Sequence, residues 1–401
     1  MEKDIAIKQG HSIYIYDEEV PFILNTLSNK NISLDCFDKK QNILTLNQSY
    51  VGYIKTNKRT IELQHKNNSI TLNHIIRMYY FVHGNFKNFD DSIFDIDNSE
   101  NYKNIIDLFI KELLIIRRKG LATEYISKEE KSNYAVGTVN YVKSYKNLIM
   151  FKENPFECTI DELTLNTTLN KILKAAFKKI LKMKHNNSEV NTLRGLFNSV
   201  DDLGNSRLSG VVNFSSKNYY CKNAYFLAKL ILDESYFDNK GNSGGECFLI
   251  NSDLLFEQFI KKILFKINND VKFIEWNSKK VYGEYRKGNK EYIPDILFNY
   301  SELNSKATAV LDVKNKFNEI FKNSDIFQML FYSTMLKSNK AILCYPCSIS
   351  SKFESLEIFS DEFITNKIYA VYINIASDTK EDFKKSIYKF IDEIYECIES
   401  K

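Results

Sequence analysis

Long apolar runs, prolines, paired histidines and nucleotide-binding loops are scarce or missing in this chain, and each shortage removes a class of function. No stretch approaches the roughly 18 consecutive apolar residues that a membrane-spanning helix needs. The first ten residues, MEKDIAIKQG, lack the apolar core of a secretory signal. The expectation is a soluble cytoplasmic protein. Seven cysteines, odd in number and irregularly spaced, fit reduced thiols in that compartment better than a disulfide framework. Cys344 and Cys347 form the one close pair; a structural zinc site takes about four ligands, and Tyr345-Pro346 between them reads as an exit turn from a strand. The five histidines (11, 65, 74, 83 and 185) form no ligand spacing and no Ser/His or Cys/His couple. Hydrolysis through a covalent enzyme intermediate therefore has no support. GNSGG at residues 241–245 is not followed by Lys-Ser/Thr, so it is no phosphate-cradling loop. Net charge is only +4, and any nucleic-acid surface must be local.

What is present is a foldable chain. With 401 residues, 44% hydrophobic, it should hold two or three domains that each bury a core. Only four prolines occur, and no Pro/Gly-rich linker or repeat divides the sequence. DIAIKQG, SIYIYD, ILTLNQSYVGYIKT and RTIELQHK alternate with period two and predict strands, followed by a helix over 70–82. Residues 104–118 predict a buried helix stopped by Gly120. The middle reads as mostly helical. Within it, residues 168–185 place Leu169, Ile172, Leu173, Ala176, Phe177, Ile180 and Leu181 on one side and Lys171, Lys174, Lys178 and Lys182 on the other. That stripe is either a solvated face or a phosphate-contacting one. The last part predicts a mixed sheet flanked by helices, opening with a helix at Ser252-Asp253 and closing with one at about 380–398. The fold class is thus α/β, an α+β multidomain protein with a strand-rich domain at 1–124, a helical region at 125–244 and a third domain at 245–401.

The chemistry concentrates near the C-terminus. YIPDILFNY (292–300) and ATAVLDVKNK (307–316) read as adjacent strands bearing Pro294-Asp295 and Asp312-Val313-Lys314. Strand ends bearing these residues gather two carboxylates and one ammonium; the two carboxylates alone repel each other, and a divalent cation between them removes that cost. Such a cation can hold a phosphodiester and activate water, which the lysine orients. Glu257, among Leu255, Phe256, Phe259 and Ile260, is either at the solvent edge of its helix or aimed at that metal. Gln328 and Tyr332 lie four apart on the following helix, for which Ser324 or Asn323 is the expected N-cap, and share its face. Together these point to metal-dependent phosphodiester hydrolysis.

The ordered set Glu, Pro-Asp, Asp-x-Lys and Gln-x-x-x-Tyr resembles the PD-(D/E)XK nuclease superfamily. The whole chain resembles the McrC family, the nuclease subunits of modification-dependent McrBC restriction systems. RRKGLATEY (117–125), NPFECTIDELTLNTTLNKILKAAF (154–177) and CFLINSDLLFEQFI (247–260) carry the resemblance outside the site. YVGYIKTNKRTIELQHK (50–66) is similar to the family's glycine-strand-strand-Pro-Lys stretch, with His65 where proline is usual; LINSD departs from the usual Phe-Asp-Met. The resemblance implies a PD-(D/E)XK restriction-endonuclease-like C-terminal domain that cleaves DNA. Asp295, Asp312 and the Val313 carbonyl would bind Mg2+, Lys314 would position water, Glu257 would assist the metal, and Gln328 and Tyr332 would order the site. It also implies a partner, a McrB-like AAA+ GTPase hexamer that reads the modified base and whose hydrolysis is stimulated by the strand-rich first ~120 residues. Arg59, Arg117 and Arg118 are equally open to a role in that contact and to a structural one. The alternatives are an assembly subunit whose nuclease fold no longer cuts, and a stand-alone metal-dependent nuclease.

Overall fold

A computed structural model describes residues 5–46, 49–83, 105–182, 188–204, 212–238, 245–267, 273–275, 280–285, 288–317, 320–348, 353–360 and 363–399. The chain divides into two compact units that are not consecutive in sequence: residues 1–101 with 236–401, and residues 102–235.

The first stretch contains β1 (Ile5–Lys8), β2 (Ser12–Tyr14), α1 (Val20–Asn29), β3 (Phe37–Asp38), β4 (Ile43–Thr45), β5 (Tyr50–Thr56), β6 (Thr60–Gln64) and α2 (Leu72–His83). Helix α1 was not expected from the period-two pattern around it. It starts with a proline in its first turn, where the missing N–H has no partner to lose, and buries Phe22, Ile23, Thr26 and Leu27. These pack with Ile54, Ile61, Leu63, Cys247 and Leu249 into one core. Arg59 is interior here: its guanidinium donates to both Glu19 oxygens at 3.2 and 2.8 Å, and it lies 4.4 Å from the centre of the Tyr16 ring. Of the open alternatives for Arg59, the structural one holds.

The second unit contains α3 (Ile105–Lys119), β7 (Glu124–Ser132), β8 (Thr138–Val139), α4 (Tyr141–Ile149), β9 (Phe156–Thr164), α5 (Thr168–Lys182), α6 (Ser188–Leu193) and α7 (Lys222–Glu234). Helix α3 ends at Gly120, whose φ of +96° suits the residue that follows a helix. The apolar face expected on α5 is buried, except that Leu181 is half-buried. The reading of this stretch as mostly helical missed the antiparallel sheet β7-β9-β8. Strand β7, EYISKEEKS, is exposed at nearly every position, so no buried face imposed an alternating pattern.

The first unit resumes with β10 (Ser235–Asp238), β11 (Gly245–Asn251), α8 (Ser252–Ile267), β12 (Phe273–Glu275), β13 (Lys280–Tyr285), β14 (Gly288–Tyr292), β15 (Ile296–Phe298), β16 (Ala309–Val313), α9 (Asn323–Met335), β17 (Lys340–Cys347), β18 (Glu354–Ser360), β19 (Phe363–Asn374) and α10 (Lys380–Glu399). Strand β11 pairs antiparallel with β5, completing a sheet ordered β1-β6-β5-β11-β10. Gly52 makes that pairing possible, because a Cβ there would stand 1.9 Å from the Phe248 carbonyl oxygen. The second sheet is mixed and ordered β12-β15-β16-β17-β19-β18, parallel from β16 through β17 to β19 and antiparallel elsewhere. Strand β13 pairs with the unforeseen β14 as a separate two-stranded ribbon. Strand β18 was also unforeseen. Pro346 does not make an exit turn; β17 continues to Cys347. Pairing with β16 has ended by then, at Val313 with Cys344, so the proline's missing N–H falls on the unpaired side. All seven cysteines are free.

Candidate active site

Strand β16 is interior to the mixed sheet, with β15 antiparallel on one side and β17 parallel on the other. Ala309, Val310 and Leu311 are fully buried, and Asp312 at the strand's end is only 3% exposed. Asp295 immediately precedes β15 and reaches the same place from the neighbouring strand: its Oδ2 accepts the Val313 N–H at 2.8 Å. The Lys314 N–H bonds to the Cys344 carbonyl at 2.8 Å. Since backbone polar groups alternate sides along a strand, the Val313 carbonyl faces the Asp295 side. Thus the Pro-Asp and Asp-x-Lys segments meet through one backbone bond.

The lysine is fixed by its neighbours. Its ammonium ion-pairs with Asp312 Oδ2 and donates to Gln328 Oε1 at 2.8 Å. Gln328 Nε2 donates to the Tyr332 hydroxyl at 2.8 Å, and that hydroxyl donates to the Ile293 carbonyl at 3.2 Å. Gln328 and Tyr332 therefore share one face of α9, as their spacing predicts, and the chain of bonds ends two residues before Asp295. Helix α9 begins one residue earlier than expected: Lys322 occupies the cap position, without a side-chain cap, and Asn323 and Ser324 lie in the first turn.

Electrostatics set the two acids apart from ordinary surface carboxylates. Burial, and then the Asp312 charge, push Asp295 up to about 7. Burial also raises Asp312, against the pull of Lys314. For Lys314 burial acts downward, but the Asp312 carboxylate beside it outweighs this and holds the ammonium above its ordinary value. Asp312 Oδ2 is buried and faces the Lys314 ammonium directly. Two desolvated neighbouring carboxylates are a donor set suited to a hard divalent cation, which needs only one or two carboxylates besides water and phosphate oxygens. Among the described residues no three His, Cys, Asp or Glu side chains are gathered closely enough to enclose a metal.

Glu257 lies on α8 with its side chain 33% exposed, paired with Lys261 at 2.6 Å. It is nevertheless near enough to raise both Asp295 and Asp312 through its charge. Four residues at the site carried no recognised motif. Asn315 Nδ2 donates to Asp253 Oδ1 at 2.6 Å, tying the strand end to the start of α8. Lys316 donates to both oxygens of the buried Asp325 at 2.8 Å, tying it to the start of α9. Lys261 completes the set. The signal for Lys316 was period-two alternation with Lys314; for Lys261 it was helical spacing from Glu257. Lys66 donates to the Asn315 carbonyl, and the His65 ring meets Phe317 edge to face at 5.4 Å, so the His-Lys end of the N-terminal motif buttresses the segment after Lys314. In the other unit, Lys174 and Lys178 both pair with Asp202, at 3.0 and 2.6 Å. Lys171 and Lys182 are not joined to that pairing.

Fold and site together describe a mixed α/β multidomain protein with a desolvated acidic pair at the end of a central strand. The chain belongs to the family of McrBC 5-methylcytosine restriction system components, whose family model matches residues 46–346. It is similar in fold to a chain of the refined half-complex from the tetradecameric assembly of Thermococcus gammatolerans McrB AAA+ hexamers with bound McrC. The identity is 16% and the TM-score 0.58, over 98% of this chain and 99% of the other. A chain of the cryo-EM structure of the Thermococcus gammatolerans McrBC complex matches 66% of this chain and 88% of its own length, at 17% identity and TM-score 0.42. No curated protein matches. Among the described residues no helix is long and apolar enough to cross a membrane.

Proposed function

We propose that this chain is the Mg2+-dependent DNA endonuclease subunit of a McrBC-like restriction system, with a PD-(D/E)XK-type core made of α8, β15, β16 and α9. One observation carries this: Asp295, Asp312 and Lys314 meet at adjoining strand ends, with the lysine held by Gln328 and Tyr332. Asp295 and Asp312 would hold the cation, beside the Val313 carbonyl, with Glu257 assisting. Bound magnesium supplies charge neutralisation between the acids, polarisation of the phosphodiester and a water of lowered pKa. Lys314 orients the attacking water, and Gln328 with Tyr332 keeps its ammonium aimed. Burial of the acids keeps competing water from the carboxylates.

The partner in this proposal is a McrB-like AAA+ GTPase ring, whose hydrolysis this chain stimulates. The chain has no phosphate-cradling loop of its own, and the similar solved structure contains McrB hexamers with bound McrC. The best-suited docking surface lies just beyond the first ~120 residues. Helix α4 is inverted: it buries Ser144 and Asn147 against β9 and exposes Tyr141, Val142, Tyr145 and Ile149, with Met150 and Phe151 following. Glu157 N–H bonds to Ser144 Oγ at 2.9 Å and Asn147 to the Pro155 carbonyl at 3.3 Å, so the polar face is the one fixed to the sheet. An apolar face held outward in this way fits a protein partner. In the lysine stripe, Lys171 and Lys182 are the candidates for DNA phosphate; Lys174 and Lys178 already share Asp202.

The test is Asp312→Ala in the full chain assembled with its GTPase. Metal-dependent plasmid cleavage is expected to fall by about 100-fold or more, with assembly and GTPase stimulation retained. Equal loss of assembly and cleavage would make Asp312 structural. A wild-type complex that never nicks DNA with metal and GTP would favour the non-cutting assembly subunit, and cleavage without the partner would favour the stand-alone nuclease.

A further inference from the structure

Three carboxylates face the candidate site, but only two of them are brought together. Glu257 acts through its charge on both Asp295 and Asp312, yet no three acidic side chains among the described residues come close enough to enclose a cation. What holds Glu257 is Lys261, one helical turn further along α8, with Nζ 2.6 Å from Glu257 Oε1. A Glu–Lys pair at this spacing is common on helix surfaces and contributes little there. This one differs in position. The Lys261 side chain is only 15% exposed while it pairs with Glu257, and its charge also reaches Asp295.

We infer that Lys261 is an exchangeable counterion of the site: it holds the Glu257 carboxylate and yields it when a divalent cation binds. This rests on the proposed metal site at Asp295 and Asp312. The two lysines then have different jobs. Lys314 is held by Asp312 and Gln328 together and stays in place. Lys261 is exchanged, because a cation held by Asp295 and Asp312 beside Glu257 repels an ammonium and attracts the same carboxylate. Once displaced from Glu257 its ammonium remains beside the acids, where it can meet a phosphate oxygen of the substrate. Lys261 is on this account a positioning residue whose charge opposes metal binding and favours the loaded complex.

The experiment is calorimetric titration of Mn2+ into the full chain, without DNA, for wild type and for the Lys261→Met, Lys261→Arg and Asp312→Asn variants. Removing one positive charge from a site of this size should tighten Mn2+ binding by about threefold to tenfold in Lys261→Met, while Lys261→Arg stays within twofold of wild type. Cleavage by the assembled Lys261→Met complex at saturating metal should fall, so that affinity and rate move in opposite directions. A purely structural lysine would lower both, and unchanged or weaker Mn2+ binding in Lys261→Met overturns the inference. Failure of the metal site itself is read separately: Mn2+ binding that Asp312→Asn leaves untouched would remove the site on which Lys261 acts.

Discussion

Asp295 is where the physics of single residues is clearest. It is held at about 7 by burial first and by Asp312 second, far above the 3.8 of an exposed aspartate. The folded, metal-free protein therefore keeps a proton that the unfolded chain has already released between pH 3.8 and about 7. Stability of the metal-free protein consequently falls as pH rises across that window. Asp295→Asn removes the liability and can still accept the Val313 N–H; it should gain on the order of 1–3 kcal/mol at pH 8 and little at pH 4. Urea unfolding in chelator at the two pH values checks this. Mg2+ demands the ionised pair, so its affinity should climb with pH up to about 7, with proton release on binding below that. At this scale the sequence was informative. Asp295, Asp312, Lys314, Gln328 and Tyr332, all singled out from the sequence, are linked in the structure by hydrogen bonds and one ion pair. Asn315, Lys316, Asp325 and Lys261 were not legible, because each belongs to a pair whose halves come from different elements or form an ordinary helix-surface motif.

Secondary-structure elements were legible where one face is buried and obscure where none is. Helix α10 shows Phe383, Ile387, Phe390, Ile394 and Ile398 at regular helical spacing, and all five are buried. Strand β7 lacks such a stripe facing a core, so no periodic pattern announced it. Helix α4 even carries its apolar residues on the wrong side for packing. Glycine at position 52 is a different kind of signal, readable only once β11 is known to cross β5. Its φ of +141° and the 1.9 Å approach of the Phe248 carbonyl to a Cβ built there leave no room for a side chain. Gly52→Ala should lose about 3 kcal/mol or more, measured by urea unfolding, because the neighbour that must move is backbone in a paired strand.

On the scale of the whole molecule, the chain is organised around two distant pieces of sequence. Strand β5 from the N-terminal stretch pairs along its full length with β11, immediately before α8 carries Glu257. Sequence separation of about 190 residues is invisible to any local pattern, which is why consecutive domains were the natural expectation from composition. The proposed function implies a separation of tasks. Replacing Tyr141, Tyr145 and Ile149 with serine should abolish binding to the GTPase partner in a pull-down while leaving calorimetric Mn2+ binding within twofold of wild type. Loss of both would instead mark α4 as part of the fold. The converse separation is that Asp312→Ala should keep the partner and lose the cut.

The proposal that an acidic pair at the end of β16 holds a catalytic cation is tested most directly by anomalous diffraction from crystals of the full chain soaked in Mn2+. One peak is predicted within coordination reach of the Asp295 and Asp312 carboxylates and the Val313 carbonyl, and it should vanish in Asp312→Ala crystals. An empty site at that strand end, or a peak elsewhere that survives the substitution, would contradict it.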